Sequence, residues 1–151
     1  MRWSLILFFL VLAGPLLGQE TTKITEGKIV IPLKKELNLK AELKGDKIVG
    51  FEIVEDTSLI EPSEFMMSLD QKPKEFEDIY INFNESDFGI LLTLVHRFER
   101  PIIYKARIKI RGRKNPVETS IQPSYPGVFS VEQWRDEIEE IELYDFEYFN
   151  E

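Results

Sequence analysis

The sequence contains no cysteine, a single histidine and fewer basic than acidic side chains. Without cysteine, the chain cannot form a disulfide framework, a thiol nucleophile, a zinc finger or an iron–sulfur cluster. It has 19 Lys and Arg against 27 Asp and Glu, for a net charge of −8. This balance disfavours a general nucleic-acid binder, because phosphate backbones are held mainly by positive surfaces. The content of 43% hydrophobic and 30% charged residues is typical of a folded globular protein.

The first eighteen residues have the three parts of a secretory signal peptide. Arg2 supplies a positive charge, residues 5–12 form an apolar stretch, and a cleavage region that contains the small residues Ala13, Gly14 and Gly18 follows. We therefore predict cleavage between Gly18 and Gln19 and a single mature domain over residues 19–151, in a secreted or periplasmic location. The alternative is an uncleaved anchor, but the longest apolar segment, from Trp3 to Leu17, is shorter than the about 20 residues of a spanning helix. We expect no membrane span in the mature chain.

The mature chain alternates between apolar and polar residues with a period of two, and long helical periodicity is absent. The alternation predicts about seven strands. Residues 37–43 and 49–53 are expected to form a hairpin that turns at residues 44–46. Residues 23–33 are expected to form one strand. Residues 89–98 are apolar on both faces, which is typical of a central strand covered on both sides.

One or two short helical turns are predicted beside these strands. Residues 63–69 lie in an irregular, proline-containing region and could form one of them. Ser130 followed by Gln133 matches a capping box, which would start a short helix over residues 131–136. Together, these patterns predict an all-β fold, an antiparallel β-sandwich of immunoglobulin-like or jelly-roll-like type, with a closed barrel as the alternative.

The sequence gives little support to catalytic or metal chemistry. His96 falls among apolar residues and is expected to be structural, because no serine stands in a G-x-S-x-G pattern to act with it. One turn is rich in oxygen ligands for Ca²⁺ but lacks the calcium-loop pattern, and turn formation alone explains its residues, Asn82, Asn84, Glu85 and Asp87. We predict no catalytic residue, metal site or cofactor, although a pair of carboxylates could serve a hydrolase.

A row of basic side chains, here named the basic stripe, is the most specific surface feature. Its members alternate along the strand predicted over residues 102–111 and so share one sheet face: Lys105, Arg107, Lys109 and Arg111. One interpretation is a docking face for an anionic partner. The other is neutralisation by acidic residues across the sheet, from the set Glu137, Glu139, Glu140 and Glu142.

Aromatic residues recur towards the C-terminus. The set comprises Trp134 and three residues that alternate along the strand predicted over residues 138–149, namely Tyr144, Phe146 and Tyr148. Exposed rings of this kind stack sugars in carbohydrate-binding modules, but aromatic residues in strands more often pack in a core. We name these four residues the aromatic set and keep both interpretations open.

These features predict a non-enzymatic binding protein of the cell envelope, whose partner is a protein or a glycan and not a nucleic acid. The alternatives are a small carbohydrate-binding module and a carboxylate-dependent hydrolase. A further alternative is an assembly protein whose terminal strands pair with another chain. That role requires an unpaired apolar strand edge at residues 24–31 or 144–149.

Overall fold

The computed structural model describes residues 20–62 and 75–150 of the chain. Within these ranges the chain forms strands and no helix. The strands are β1 (Lys23–Thr25), β2 (Lys28–Pro32), β3 (Lys35–Lys44), β4 (Lys47–Ser58), β5 (Ile79–Ser86), β6 (Gly89–His96), β7 (Ile102–Ile110), β8 (Val117–Thr119), β9 (Ser130–Trp134) and β10 (Ile138–Tyr148). The predicted signal peptide, its cleavage site at Gly18 and Gln19, and the helical turn predicted over residues 63–69 lie outside the described residues.

All strand pairs in this part of the chain are antiparallel and belong to one open sheet. Pairing follows two runs of strands, β1–β2–β10–β7–β8 and β4–β3–β5–β6–β9. A single residue pair, Glu147 of β10 with Lys47 of β4, joins the runs. The prediction of an all-β antiparallel fold is confirmed, although the described residues form ten strands rather than about seven.

Both runs contribute to one hydrophobic core. Ile31 of the first run and Leu37 and Leu94 of the second are fully buried members of the same cluster. The ring of Phe146 in β10 lies 5.0 Å from the ring of Phe51 in β4, and the two meet edge to face. Alternate residues of each strand therefore face a shared interior, as the period of two requires.

Strand β6 is buried on both faces, as predicted. Leu92 and Leu94 point into the shared core. On the opposite face, Leu91 and Val95 are only 2% and 3% exposed. Strand β6 is central in its run, because it pairs with β5 on one side and with β9 on the other. These two neighbours satisfy the hydrogen-bonding groups of its backbone.

The prediction of one strand over residues 23–33 is wrong. The chain turns at Glu26 and Gly27, whose φ angles of 43° and 75° fit a two-residue hairpin turn. The result is two short strands, β1 and β2, with β1 at the sheet margin. Strand β10 has partners on both sides, so residues 144–149 do not supply the unpaired edge that terminal-strand assembly would require.

The prediction of a helix over residues 131–136 is also wrong, because Ser130–Trp134 forms strand β9. The Ser130 hydroxyl donates to the carbonyl of Leu94 at 3.1 Å instead of capping a helix. A helix this short gains little stability by itself. Pairing with β6 satisfies the backbone of β9 and brings Trp134 against the core.

Candidate functional site

The basic stripe follows β7 and the turn after it, and each of its four side chains forms an ion pair. The N–O distances are 2.9 Å for Lys105–Asp145, 3.6 Å for Arg107–Glu118 and Arg107–Glu142, 3.6 Å for Lys109–Glu139, 3.3 Å for Arg111–Glu137 and 3.5 Å for Arg111–Glu139. The antiparallel register of β7 with β10 causes this arrangement, since it sets Arg107 opposite Glu142.

These ion pairs change what the basic stripe can do. The hydrogen bond from Lys105 to Asp145 raises the pKa of Lys105, so its charge is kept but already has a partner. An anionic ligand would have to compete with carboxylates along the whole stripe. The geometry favours mutual neutralisation, and docking of an anionic partner on the stripe stays a prediction.

The aromatic set is divided by a bulge in β10. The strand shifts register after Tyr144, and Asp145 takes a φ of 53°. Such a bulge adds one residue and changes which side chains share a face. Phe146 is 2% exposed and stacks on Tyr104 with 4.9 Å between centroids. Tyr144 instead lies under the guanidinium of Arg107, 4.6 Å from its ring centre.

The other two aromatic residues lie in different surroundings. Trp134 is half-buried, and its indole N–H donates to the Thr119 hydroxyl at 3.1 Å. Tyr148 is covered by Arg100, whose guanidinium lies 4.0 Å from the ring centre. The four rings of the aromatic set therefore do not form a common exposed face.

His96 has the environment of a structural histidine. Its side chain is fully buried, and Nε2 lies 3.0 Å from the carbonyl oxygen of Ser124. Because a carbonyl only accepts, Nε2 carries the hydrogen, while the buried Nδ1 has no hydrogen-bond partner. Burial lowers the pKa of His96, and the bond to Ser124 opposes this only in part.

The turn considered for Ca²⁺ uses its polar groups within the fold. Asn84 is 2% exposed and donates from its amide to the carbonyl of Glu61 at 2.9 Å. Glu85 forms an ion pair with Lys34 at 3.1 Å. Over residues 20–62 and 75–150, no three His, Cys, Asp or Glu side chains are grouped so that they could hold a metal ion.

Two depressions flank the turn between β1 and β2. The larger, which we name the bulge groove, has a volume of about 700 Å³ beside the β10 bulge, and its charged lining includes Lys28, Lys47, Lys105, Asp145 and Glu147. The smaller, which we name the edge cleft, has a volume of about 360 Å³ and lies between β1 and β4, against Ile24, Glu26, Glu42, Gly50, Phe51 and Glu52. Both volumes are within the about 300–1,000 Å³ typical of ligand sites.

Sequence reasoning missed the residues of the edge cleft. It correctly predicted the β3–β4 hairpin, but alternation within a hairpin does not reveal which strand has a neighbour on its other side. One signal could have drawn attention to the site. Gly50 interrupts the predicted strand, and a glycine inside a strand often marks a close approach of another backbone or a ligand.

Comparison with known proteins identifies no relative of this chain. No protein-family model matches the chain, and no curated protein or solved structure matches it either. In the part of the chain that the structure describes, no helix is long and apolar enough to cross a membrane. Function must therefore be argued from the surfaces themselves.

Proposed function

We propose that this chain is an exported, non-enzymatic β-sandwich that binds another protein at the cell envelope. The pairing pattern supports the sandwich. Two runs of strands share one core and are joined by one residue pair, Glu147 with Lys47. Each run then supplies one layer, with its apolar face turned inward.

The sequence supports export. Residues 1–18 have the order of charge, apolar stretch and small residues found in cleaved signals. The cysteine-free domain requires no oxidising compartment for its own stability, because its core includes completely buried side chains such as Phe83, Leu94 and Ile141.

The observation that carries the binding role is the open edge of β4. This strand of 12 residues pairs with β3 on one side, while on the other only Lys47 has a strand partner among the described residues. An exposed edge presents backbone groups on which another chain can form a further strand. Val54, which is 49% exposed, adds apolar contact area to this edge.

Cross-linking in the native envelope tests this function. A C-terminally tagged copy is captured after cross-linking, and mass spectrometry identifies both the attached proteins and the N-terminus of the mature chain. We expect one protein partner in stoichiometric amount and a mature chain that begins at Gln19. A chain that retains residues 1–18, or one that captures no protein, would contradict the proposal.

The bulge groove favours a second candidate function, the binding or hydrolysis of a carbohydrate. Its volume of about 700 Å³ lies in the range of small-molecule sites, and the carboxylates of Glu26, Asp145 and Glu147 lie around it. Glycan-array binding followed by reducing-end assays tests this candidate. Saturable binding that is lost in Glu147→Gln would support it, and no binding to any glycan would remove it.

A further inference from the structure

The edge cleft lies where the margins of the two strand runs face each other. Neither β1 nor the adjacent part of β4 has a strand partner on this side among the described residues. At one end, the β1–β2 turn lies against the start of β4, since a Cβ placed on Gly27 would be 3.3 Å from the carbonyl oxygens of Ile48 and Val49. From Gly50 onward the edge of β4 is open.

The floor of the edge cleft is apolar. Ile24, Ala41 and Phe51 line it, and all three are partly buried against the hydrophobic core. A side chain that entered the cleft would therefore remove apolar surface from water and extend the core outward. Such burial stabilises a complex by about 25 cal/mol per Å² of apolar area.

The rim of the edge cleft is acidic. Glu26, Glu42 and Glu52 are exposed there, against a single basic residue, Lys40. None of these four forms an ion pair within the described part of the chain, in contrast to the carboxylates opposite the basic stripe. The rim therefore has an excess of negative charge that complements a cationic partner, although Glu52 lies opposite Lys40 in the register of β3 and β4.

Gly50 lies under an acidic side chain of the neighbouring strand. The carboxylate of Glu42 lies directly over it, so that a Cβ at Gly50 would be 3.0 Å from Glu42 Oε2. Gly50 is the residue at which the open part of the edge begins, and the Glu42 carboxylate therefore lies beside that edge. A strand added along this edge can place its basic side chains against the acidic rim.

We propose that the edge cleft binds an extended segment of a partner protein, in which basic residues alternate with apolar ones, and that this segment adds a strand to β4. The inference rests on the proposed function, since the occupant belongs to the protein partner. Backbone hydrogen bonds to β4 give affinity. The apolar side chains face Phe51, and the basic ones face Glu42 and Glu52, which gives specificity.

The charges argue against a second copy of the chain as the occupant. If β4 paired antiparallel with its own copy across the open edge, Glu52 and Glu55 would come close to the same acidic residues of the other copy. Like charges on neighbouring strands destabilise pairing. A cationic segment removes this repulsion.

Hydrogen exchange with defined peptides tests the proposal on the purified protein. The probe is a peptide of alternating lysine and valine, long enough to lie along residues 50–58. One control peptide has glutamate in place of lysine, and the other has alternate backbone nitrogens methylated. We expect only the unmodified lysine peptide to slow amide exchange in β4. The double variant Glu42→Lys/Glu52→Lys should weaken its binding at least tenfold, whereas Glu99→Lys/Asp136→Lys, with the same change of net charge, should not.

Several results would overturn the proposal. If the methylated peptide protects β4 equally well, strand addition is excluded. If both double variants bind the lysine peptide equally weakly, the binding depends only on the net charge of the protein and not on the edge cleft. Protection of β4 that grows with protein concentration alone would show that the occupant is a second copy.

The outcomes also separate this inference from the proposed function. If the lysine peptide leaves β4 unprotected while envelope capture yields a protein partner, the edge-cleft proposal is wrong and the binding function stands. If the peptide protects β4 but no protein is captured, strand addition at the edge cleft stands, whereas the envelope-binding function, and with it the assignment of the occupant to an envelope protein, is wrong.

Discussion

Replacement of Phe146 by alanine tests whether the β10 bulge turns this ring into the core. Phe146 is 2% exposed, and its ring contacts Phe51 at 5.0 Å and Tyr104 at 4.9 Å between centroids. Truncation of a buried phenylalanine to alanine costs about 3–5 kcal/mol, because it removes buried apolar surface and leaves a cavity. For a chain of this length the fall in Tm is on the order of 10–20 °C.

Urea unfolding followed by circular dichroism measures this cost, with Phe88→Ala as a matched control. Phe88 is 61% exposed, so truncation of this residue to alanine should lower the free energy of unfolding by less than about 1 kcal/mol. If Phe146→Ala is as mild as the control, Phe146 does not lie in the core, and an exposed aromatic platform on β10 becomes the better explanation. A fall in stability of the expected size supports core packing and leaves β10 without a sugar-stacking ladder.

Three further predictions follow from single sites. Because burial lowers the pKa of His96, the unfolded chain takes up its proton at a higher pH than the native one does, so the free energy of unfolding should fall as pH decreases below 6.5. Urea titrations at several pH values should show this loss in the wild type and a smaller loss in His96→Gln. Lys109→Glu should lower stability by a few tenths of a kcal/mol through lost cross-strand pairing, and added salt should reduce the effect. Gly89→Ala should lower the free energy of unfolding by about 3 kcal/mol or more, because the new Cβ would lie 2.3 Å from the Trp134 carbonyl oxygen and the residue has a φ of 123°. Gly112→Ala is the control, since there is open space around that position, and it should lower the free energy of unfolding by only about 1 kcal/mol. Thermal melts of both variants measure the difference.

Local patterns were sufficient to predict much of the fold. The alternation of residues 37–43 and 49–53 predicted the β3–β4 hairpin, and the two apolar faces of residues 89–98 predicted the burial of β6. Both features depend on neighbouring residues alone. The capping box at Ser130 misled for the same reason, because the pairing of β9 with β6 joins segments far apart in the sequence.

The candidate sites depend on contacts that such patterns do not contain. Alternation placed Tyr144 and Phe146 on one face, but the register shift at Asp145 separates them, and a bulge is set by pairing across strands rather than by residue type alone. The basic stripe was found by the same alternation. The sequence also offered carboxylates that could neutralise it, and three of them, Glu137, Glu139 and Glu142, form ion pairs with the stripe. The pairs with Glu118 and Asp145 depend on the pairing of β8 with β7 and on the β10 bulge, which alternation does not reveal.

The open edge of β4 shows most clearly why function was harder to predict than fold. A strand's sequence determines which side chains it buries, whereas an edge is defined by the absence of a neighbour, which depends on how the whole sheet is ordered. The ion pairing of the acidic residues distinguishes the edge of β4 from the surface around the basic stripe. Acidic residues on β10 that face the basic stripe are ion-paired, while Glu42 and Glu52 beside the open edge form no ion pair with any described residue. Within the described residues, carboxylates without ion pairs therefore lie beside a backbone edge without a strand partner, and the proposal of a cationic strand rests on this combination.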